Sequence, residues 1–473
     1  MTDSFSGRER RLLWLVAAGF FMQTLDSTIV TTALPSMAHS LHESPLRMQS
    51  VIIAYTLTMA LLIPASGWLA DRFGTRTTFF SATLLFVLGS ALCALSSSLR
   101  ELALARVVQG AGGAMLLPVG RLAVLRNIPR DRYLPALALV TVPGLVGPLI
   151  GPTLGGWLAQ YSSWHWIFLI NIPVGLGGAL FTLTSMPQSR RRPLERFDLT
   201  GYVMIAIAMA TISVALDGLA ELHLQHPVVL MLLVFGLATL CGYWLHASQR
   251  EQPLFPARLF HVTTFSIGLL GNLFARIGSG AVPYLLPLTL QVGLGYTPTQ
   301  AGLMMVPAAV AAMLTKRPAT PLITRLGYRR VLMINTLLVG ASIAAFGLVG
   351  PGEPLWLRVL QFGIFGAANS LQFTAMNTLT LKDLNQSYAS SGNSLLSMVQ
   401  MVSMSFGVAA AAALLTTFTT MLRAMQTPQL LRAFHLTFLC VGLLTMAATW
   451  IFAQLASDVR GRGEQQEVDM APS

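Results

Sequence analysis

An acidic residue, Asp26, lies well inside the apolar stretch Leu12–Pro35. The stretch is long enough to cross a bilayer, which takes about 20 apolar residues. At a rise of about 1.5 Å per residue, Asp26 lies roughly 21 Å along a helix from Leu12. A carboxylate at that depth costs about 2.5–3.5 kcal/mol, and crossing the membrane does not require it. We interpret Asp26 as a group that titrates or faces a substrate; the alternative is a helix-packing residue satisfied by polar neighbours such as Gln23 and Thr28.

Two arginines also lie inside apolar stretches. Arg106 precedes Gln109 in the fourth stretch, and Arg276 lies about a dozen residues from either end of the ninth, too deep to reach the membrane surface easily. A guanidinium group stays charged in a protein, so each arginine needs a partner or a wet cavity. In one interpretation Arg276 pairs with Asp26 or with backbone carbonyls at a helix break. In the other, Arg106, Gln109 and Arg276 line a substrate cavity, where the two guanidinium groups hold an organic anion.

The composition excludes a soluble globular protein. The chain has 473 residues, of which 54% are hydrophobic and only 10% are charged, whereas soluble domains carry about 25% charged residues. Cys93, Cys241 and Cys440 are far apart inside apolar stretches and have neither disulfide nor metal-ligand spacing. The histidines are scattered, and no catalytic constellation stands out. We therefore expect no metal, no cofactor and no enzymatic activity.

Hydropathy predicts an all-α integral membrane protein with fourteen spans. The spans lie near residues 12–35, 48–70, 77–98, 102–122, 134–158, 164–186, 199–219, 227–247, 264–291, 299–318, 331–350, 355–379, 389–416 and 433–456. The domains that follow are an amino-terminal segment (1–11), a six-helix half (12–186), a linker with two extra helices (187–262), a second six-helix half (263–456) and a tail (457–473).

Basic residues indicate the orientation of the spans. With the amino terminus in the cytoplasm, 23 of the 30 Lys and Arg residues fall in cytoplasmic segments, 5 on the other side, and 2 inside spans. This bias follows the positive-inside rule and places both termini in the cytoplasm. The net charge of +12 is therefore a topology signal, and we expect no nucleic-acid partner.

The loop after the second span is the most specific motif in the chain. It contains Gly67, Asp71, Arg72, Gly74 and Arg76 in the pattern Gly-x-Leu-Ala-Asp-Arg-x-Gly-x-Arg. Glycines permit a tight turn, and the Asp-Arg pair can bridge neighbouring helices. We expect these residues to gate the cytoplasmic side.

Part of this loop recurs in the second half of the chain. Arg325, Gly327 and Arg329 follow the tenth span with the spacing of the first loop. Two six-span halves in parallel repeat, with a helix pair between them, suit a transporter that rocks one half against the other.

The fifth span is rich in glycine and proline. Its glycines recur every four residues along one helix face, and each proline removes a helical hydrogen bond. We interpret the span as a bent helix with a smooth face for sliding contact between the halves; the alternative is a close-packed, kinked helix. The residues are Gly147, Pro148, Gly151, Pro152, Gly155 and Gly156.

These motifs resemble those of the major facilitator superfamily. The loop 67–76 resembles its signature loop, and Arg106-x-x-Gln109-Gly resembles its Arg-x-x-Gln-Gly motif. The fifth span resembles the antiporter motif Gly-x-x-x-Gly-Pro-x-x-Gly-Gly, which marks exporters in that family, with Ala138 in place of the motif's leading glycine. Segments 25–35 and 164–175 resemble the first and sixth spans of its fourteen-span drug:proton antiporters.

The resemblance implies a bacterial inner-membrane exporter that works by proton antiport. It implies a fourteen-helix bundle in which Asp26 takes up and releases the proton. The expected partners are the lipid bilayer, protons and a small molecule, either a drug or an organic anion such as a carboxylate, and we expect a monomer.

The alternative is a membrane sensor or scaffold that keeps the same fold and does not transport. Extra soluble domains or long interaction tails would favour it, and the predicted tail is short. A channel is disfavoured because no repeated pore loop is evident. The chain also lacks the Gly-x-x-x-x-Gly-Lys-Ser/Thr phosphate loop of an ATP-driven pump.

Overall fold

A computed structural model of the chain describes residues 5–129, 132–187, 197–220, 226–423 and 427–455. Within these ranges the regular elements are helices and no strand occurs, which confirms the all-α prediction. The predicted tail and nearly all of the arginine-rich link after the sixth span lie outside the described residues.

The helices form two halves joined by an inserted pair. The first half contains α1 (Gly7–Ile29), α2 (Leu34–Ser40), α3 (Gln49–Phe73), α4 (Thr75–Leu95), α5 (Leu99–Asn127), α6 (Tyr133–Tyr161), α7 (Trp166–Leu169) and α8 (Asn171–Ser185). The inserted pair is α9 (Leu199–Ala220) and α10 (His226–Gln249). The second half contains α11 (Thr263–Leu288), α12 (Pro298–Leu326), α13 (Tyr328–Ala345), α14 (Leu355–Lys382), α15 (Gln386–Met421), α16 (Thr427–Ala447) and α17 (Thr449–Ala453).

Thirteen helical segments of the described residues are long and apolar enough to cross a membrane. They coincide with all of the predicted spans except the one at 355–379. That span falls on α14, a helix of 28 residues and therefore also of membrane length. α14 is less apolar because its central part carries the amides Gln361, Asn369 and Gln372. The predicted fourteen-helix bundle is therefore confirmed.

The two repeated loops have the same backbone conformation. Gly74 joins α3 to α4 with φ 87° and ψ 148°, and Gly327 joins α12 to α13 with φ 80° and ψ 154°. Glycine adopts such a conformation freely, whereas other residues are strained there. The sequence repeat is thus also a structural repeat. Gly67 was expected in the tight turn but lies inside α3, because that helix continues to Phe73.

The two halves meet along two seams, α6 against α12 and α3 against α15. We call the side on which α1 begins the N side and the opposite side the far side. Because successive long helices alternate in direction, the end of α6 and the start of α12 both lie on the far side. There the Thr153 hydroxyl donates to the Gly302 carbonyl (3.3 Å), and the Thr299 N–H donates to Gln160 Oε1 (3.2 Å). These bonds join α6 to α12 at the far side of the bundle.

The inserted pair covers the α3–α15 seam, since α9 packs against both helices. Just before α9, Asp198 accepts hydrogen bonds from the N–H groups of Gly201 (3.0 Å) and Leu254 (3.2 Å) and pairs with His246 (2.8 Å). Burial raises the pKa of the Asp198 carboxyl, but these hydrogen bonds and the imidazole outweigh it, and the pKa lies below its ordinary value. The ionised carboxylate therefore holds both inserted helices to the link that leads into α11.

Candidate functional site

Asp26 lies at the centre of a buried polar network in the first half and is 0% exposed. Arg106 Nη1 donates to Asp26 Oδ2 at 2.7 Å. Asp26 Oδ1 accepts from Gln109 Nε2 at 2.7 Å and from Asn171 Nδ2 at 2.9 Å. The donors belong to α5 and α8, so three helices meet at one carboxylate. A carboxylate with three donors, one of them cationic, is satisfied away from water.

Arg106 is enclosed by the first half and is 1% exposed. Besides its bond to Asp26, Nη1 lies 2.6 Å from Gln109 Oε1, and Nε donates to the Val51 carbonyl at 3.3 Å. The Arg106 Cζ atom lies 4.0 Å from the centre of the Tyr55 ring, which is a cation–π contact. The guanidinium group thus has a counter-ion, an amide, a carbonyl and an aromatic face as partners.

Close packing of α4 against α5 makes this network possible. A Cβ atom at Gly89 would lie 2.4 Å from the backbone of Gln109, and one at Gly112 would lie 2.4 Å from the backbone nitrogen of Phe86. Only glycine allows two backbones to approach so closely. The approach brings Ser90 Oγ of α4 within 2.7 Å of Gln109 Nε2, which fixes the amide that faces Asp26.

The structure corrects the interpretation of the two intramembrane arginines. Asp26 pairs with Arg106 and not with Arg276. Arg106 and Gln109 were predicted to line a substrate cavity, but the carboxylate and the α4–α5 packing enclose both of them. Arg276 lies in α11 of the second half, where it is partly exposed, and its Cζ atom lies 4.7 Å from the centre of the Phe373 ring. Within the described ranges, no acidic side chain pairs with it.

Sequence reasoning does not identify three members of the network as site residues: Tyr55, Ser90 and Asn171. A signal exists for Asn171, because an amide inside an apolar stretch needs a hydrogen-bond partner there, as a charge does. Ser90 carries no such signal, since serine hydroxyls in membrane helices commonly bond to their own backbone. Tyr55 carries none because it contacts Arg106 through its ring, and an aromatic residue is ordinary in an apolar stretch.

The signature loop is joined to a neighbouring helix by an ion pair. Asp71, near the end of α3, pairs with Arg126, which lies outside the loop near the end of α5, so the arginine that bridges two helices is not Arg72. The Arg72 Cζ atom lies 5.2 Å from the centre of the Trp68 ring, and Arg76 donates to the carbonyl of Leu183 at the end of α8. The loop therefore ties the N-side ends of α3, α5 and α8 together.

We predict that Asp71→Asn shifts the protein toward conformations that are open on the N side. The partly exposed pair stabilises the ends of α3 and α5, so its loss is expected to change the populations about two- to five-fold, as for a pair worth roughly 0.5–1 kcal/mol. Spin labels at Asn127→Cys and Lys382→Cys, on the N-side ends of α5 and α14, report the opening as longer distances. Glu43→Gln breaks an exposed i,i+4 pair with Arg47 and is the control. An unchanged distance distribution in Asp71→Asn would leave the loop without a gating role.

The glycine face of α6 packs mainly inside its own half. A Cβ atom at Gly147 would lie 2.5 Å from Thr24 Oγ1, one at Gly151 2.2 Å from Thr28 Oγ1, and one at Gly155 2.1 Å from the carbonyl oxygen of Ile29. All three neighbours belong to the α1 region, so the face holds the helix that carries Asp26. The expected sliding contact between the halves is therefore wrong for these three glycines.

Contact with the other half comes from the next residue and from the partner helix. A Cβ atom at Gly156 would lie 2.1 Å from the Pro298 carbonyl oxygen, and one at Gly302 would lie 2.3 Å from the Pro152 carbonyl oxygen. Glycines on both helices thus let the α6 and α12 backbones touch at the far side.

We predict that Gly156→Ala opens the far side. The added methyl group overlaps the Pro298 carbonyl, and overpacking of about 1–3 kcal/mol corresponds to a roughly 5- to 150-fold shift away from the closed seam. Spin labels at Arg100→Cys and Trp356→Cys, in the first turns of α5 and α14, measure the far-side distance. Gly177→Ala in α8, where an added Cβ atom meets nothing within 4 Å, is the matched control. Equal distances in both variants would mean that this seam does not gate the far side.

Comparison of the sequence with known proteins assigns the chain to one family. A sequence model described as the Major Facilitator Superfamily matches residues 16–279 and 268–469. The chain is 51% identical over 446 residues to a protein of Serratia proteamaculans, covering 94% of this chain and 93% of the relative. It is 51% identical over 450 residues to one of Yersinia enterocolitica, covering 95% and 96%. Both relatives carry the name "Putative multidrug resistance protein MdtD".

Solved structures share the fold at much lower identity. The POT family transporter PepTSo superposes with a TM-score of 0.71 at 13% identity, covering 94% of this chain and 97% of that one. A D-xylose–proton symporter superposes with a TM-score of 0.66 at 15% identity, covering 95% and 98%. At such identities the likeness concerns the arrangement of helices alone.

Proposed function

Because this chain belongs to the major facilitator superfamily, we propose that it is a proton-driven exporter of small molecules in the bacterial inner membrane. The names of its relatives support efflux over a sensor or scaffold with the same fold. The positive-inside bias supports a cytoplasmic N side, and with it a far side that faces the periplasm.

The observation that carries the proposal is the buried pair of Asp26 and Arg106, 2.7 Å apart. Spanning the membrane does not require an ion pair, and taking two charges out of water is expensive. A protein that must bind and release a proton inside the bilayer does require an acid there. When Asp26 is protonated, Arg106 loses its counter-ion, while the Gln109 and Asn171 amides keep one carboxyl oxygen in place. The uncompensated guanidinium favours a rearrangement, so that protonation biases one conformation over the other.

Arg276 supports an anionic substrate. It is a fixed positive charge near the middle of α11, with no acidic partner among the described residues. Its Nη atoms form no hydrogen bond with the described chain, and Nε is enclosed without a partner. An arginine in this condition is best satisfied by a wet path and by an anion that enters it. We therefore place organic anions, such as di- or tricarboxylates or their metal chelates, ahead of lipophilic cations.

The experiment is transport of radiolabelled anions and cations into inverted membrane vesicles with an imposed pH gradient. We expect uptake of at least one carboxylate that a protonophore abolishes. In Arg276→Gln we expect that uptake to fall about 10- to 100-fold, because one charge-assisted bidentate contact is lost. Leu273→Gln, one turn away on the same helix, is the control. Proton-dependent uptake of cationic dyes alone, equal in wild type and Arg276→Gln, would remove the anion proposal and leave the antiporter.

A further inference from the structure

Two amide side chains in the second half, Asn377 of α14 and Gln400 of α15, have hydrogen-bonding atoms that packing leaves unused. Gln400 Nε2 donates to Asn377 Oδ1 at 2.6 Å and lies 3.5 Å from Asn272 Oδ1. Within the described part of the chain, Asn377 Nδ2 and Gln400 Oε1 form no hydrogen bond, and neither is an enclosed atom. Both side chains are partly exposed. The pair therefore presents one free donor and one free acceptor side by side.

Other amides of the same half show what a purely structural arrangement looks like. Asn335 and Gln372, on α13 and α14, are 3% and 2% exposed. Asn335 Nδ2 donates to Gln372 Oε1 at 2.7 Å and to the Ala368 carbonyl at 2.8 Å, and Gln372 Nε2 donates to Thr336 Oγ1 at 2.7 Å. These hydrogen bonds stay within the group and join α13 to α14. The Asn377–Gln400 pair differs because one atom of each amide has no hydrogen-bond partner among the described residues. We call it the open pair.

The open pair lies next to Arg276. Asn272 precedes Arg276 by four residues on α11, and Asn377 follows Phe373, which stacks under the Arg276 guanidinium, by four residues on α14. Four residues make one helical turn, a rise of about 5.4–6 Å. Since α11 runs away from the N side and α14 runs toward it, both steps lead in the same direction. The amide pair is thus one turn closer to the N side than the guanidinium.

Asn272 fixes the geometry of the pair. It is 0% exposed, and its Nδ2 donates to the Gly268 carbonyl at 2.9 Å, which turns its oxygen toward Gln400 Nε2. That amide nitrogen is engaged by Asn272 and Asn377, while Gln400 Oε1 stays accessible and has no hydrogen-bond partner among the described residues. A free acceptor beside a free donor matches a hydroxyl group, which both donates and accepts.

We propose that Asn377 and Gln400 are specificity-determining residues that form hydrogen bonds with a hydroxyl group on an anion bound by Arg276. The inference rests on the proposed anion export and adds a second contact on the side from which the substrate enters. It selects anions whose hydroxyl group can reach the amide pair, about one helical turn nearer the N side, while a carboxylate binds Arg276. A site built to hydrogen-bond a hydroxyl discriminates against the analogue that lacks it, because its own polar groups are then left unpaired.

The test compares acids of equal charge that differ in one hydroxyl group: malate against succinate, and 2-hydroxyglutarate against glutarate. In inverted vesicles we expect wild type to prefer the hydroxylated member of at least one pair by roughly tenfold. Asn377→Leu and Gln400→Met keep the side-chain size and remove the amides, so we expect the preference to fall to about one while uptake of the plain acid persists. The ratio within one vesicle preparation does not depend on how much protein is folded.

The outcomes separate this inference from the proposal beneath it. Equal transport of both members of each pair by wild type would overturn the hydroxyl subsite and leave the anion exporter intact. The hydroxyl subsite would also be overturned if Asn377→Leu and Gln400→Met both retained the wild-type preference. Failure of wild type to carry any of the four acids would remove the anion proposal and this one with it. Arg276→Gln should reduce both members of a pair equally, which distinguishes the charge contact from the hydroxyl contact.

Discussion

Asp26→Asn is expected to reduce export driven by a pH gradient by roughly fivefold or more while the protein remains inserted. Asn has the shape of Asp and can still accept from Gln109 and Asn171 through its carbonyl oxygen, but it has no proton to exchange. If Asp26 couples the proton to conformational change, removing its ionisation should reduce gradient-driven transport by roughly 5- to 150-fold, the range given by coupling free energies of 1–3 kcal/mol. Uptake into inverted vesicles at equal protein content measures the loss.

The control for this variant addresses the charge it leaves behind. In Asp26→Asn the Arg106 guanidinium is buried without a counter-ion, which alone could disturb folding. The double variant Asp26→Asn/Arg106→Gln removes both charges and should be better folded, yet equally unable to couple. Glu43→Gln, which removes a partly exposed carboxylate at 28% side-chain exposure, should transport normally. Gradient-driven export by either Asn variant at the wild-type rate would rule out Asp26 as the proton carrier.

Arg106→Met is expected to destabilise the protein by about 3–5 kcal/mol, because it leaves the Asp26 carboxylate buried with only amide donors. Methionine fits the space beside the Tyr55 ring but supplies no charge. Combined with Asp26→Asn, most of the stability should return, since the double variant has no unpaired charge. Unfolding by denaturing detergent, followed for wild type, both single variants and the double variant, gives the interaction energy as a double-mutant cycle.

The cycle has a clear alternative outcome. If the two single effects add to within about 0.5 kcal/mol, the residues do not interact and the pair is not the centre of the site. Cys93→Ser serves as the control, because Cys93 is buried at the edge of the same network, 3.7 Å from Gln109 Oε1, and carries no formal charge. It should change the stability much less than Arg106→Met.

The positions of Asp26, Arg106 and Arg276 inside apolar stretches were enough to identify the charges that need an explanation. The pairing among them could not be predicted in the same way. Arg276 lies in the span that the repeat relates to the span of Asp26, and Arg106 lies in another span of the same half as Asp26. In the sequence alone, either guanidinium could be the partner of Asp26. What decides the pairing is the α4–α5 approach at Gly89 and Gly112, which is a property of three-dimensional packing.

The glycines of the fifth span illustrate the same limit. Helical periodicity predicts that Gly147, Gly151 and Gly155 share a face, and they do. Periodicity does not say which helix that face meets, and the neighbour proves to be α1 and the turn after it, not the opposite half. Gly156, one residue further along, faces about 100° away and reaches α12.

The repeat was predicted from one loop, and Gly74 and Gly327 have matching backbone angles. The halves nevertheless differ in chemistry. The polar group at the α4–α5 contact of the first half bonds to an ion pair, whereas the buried polar group at the repeat-related α13–α14 contact is built from the amides Asn335 and Gln372 and the hydroxyl of Thr336. The Asp71–Arg126 pair also has no counterpart at this position of the repeat, since Thr324 stands where the first loop has Asp71. Proton chemistry is therefore expected in the first half, and the second half is free to bind the substrate.

Infrared difference spectroscopy across a pH titration tests most directly whether Asp26 binds a proton. Acidification of wild type should produce the carbonyl band of a protonated carboxyl group in an apolar environment, and subtraction of the Asp26→Asn spectrum should isolate it from the other acidic residues. This band is expected in wild type and should be missing from Asp26→Asn. Identical carboxyl bands in the two proteins over the whole titration would contradict it, because Asp26 would then stay ionised and act only as the counter-ion of Arg106.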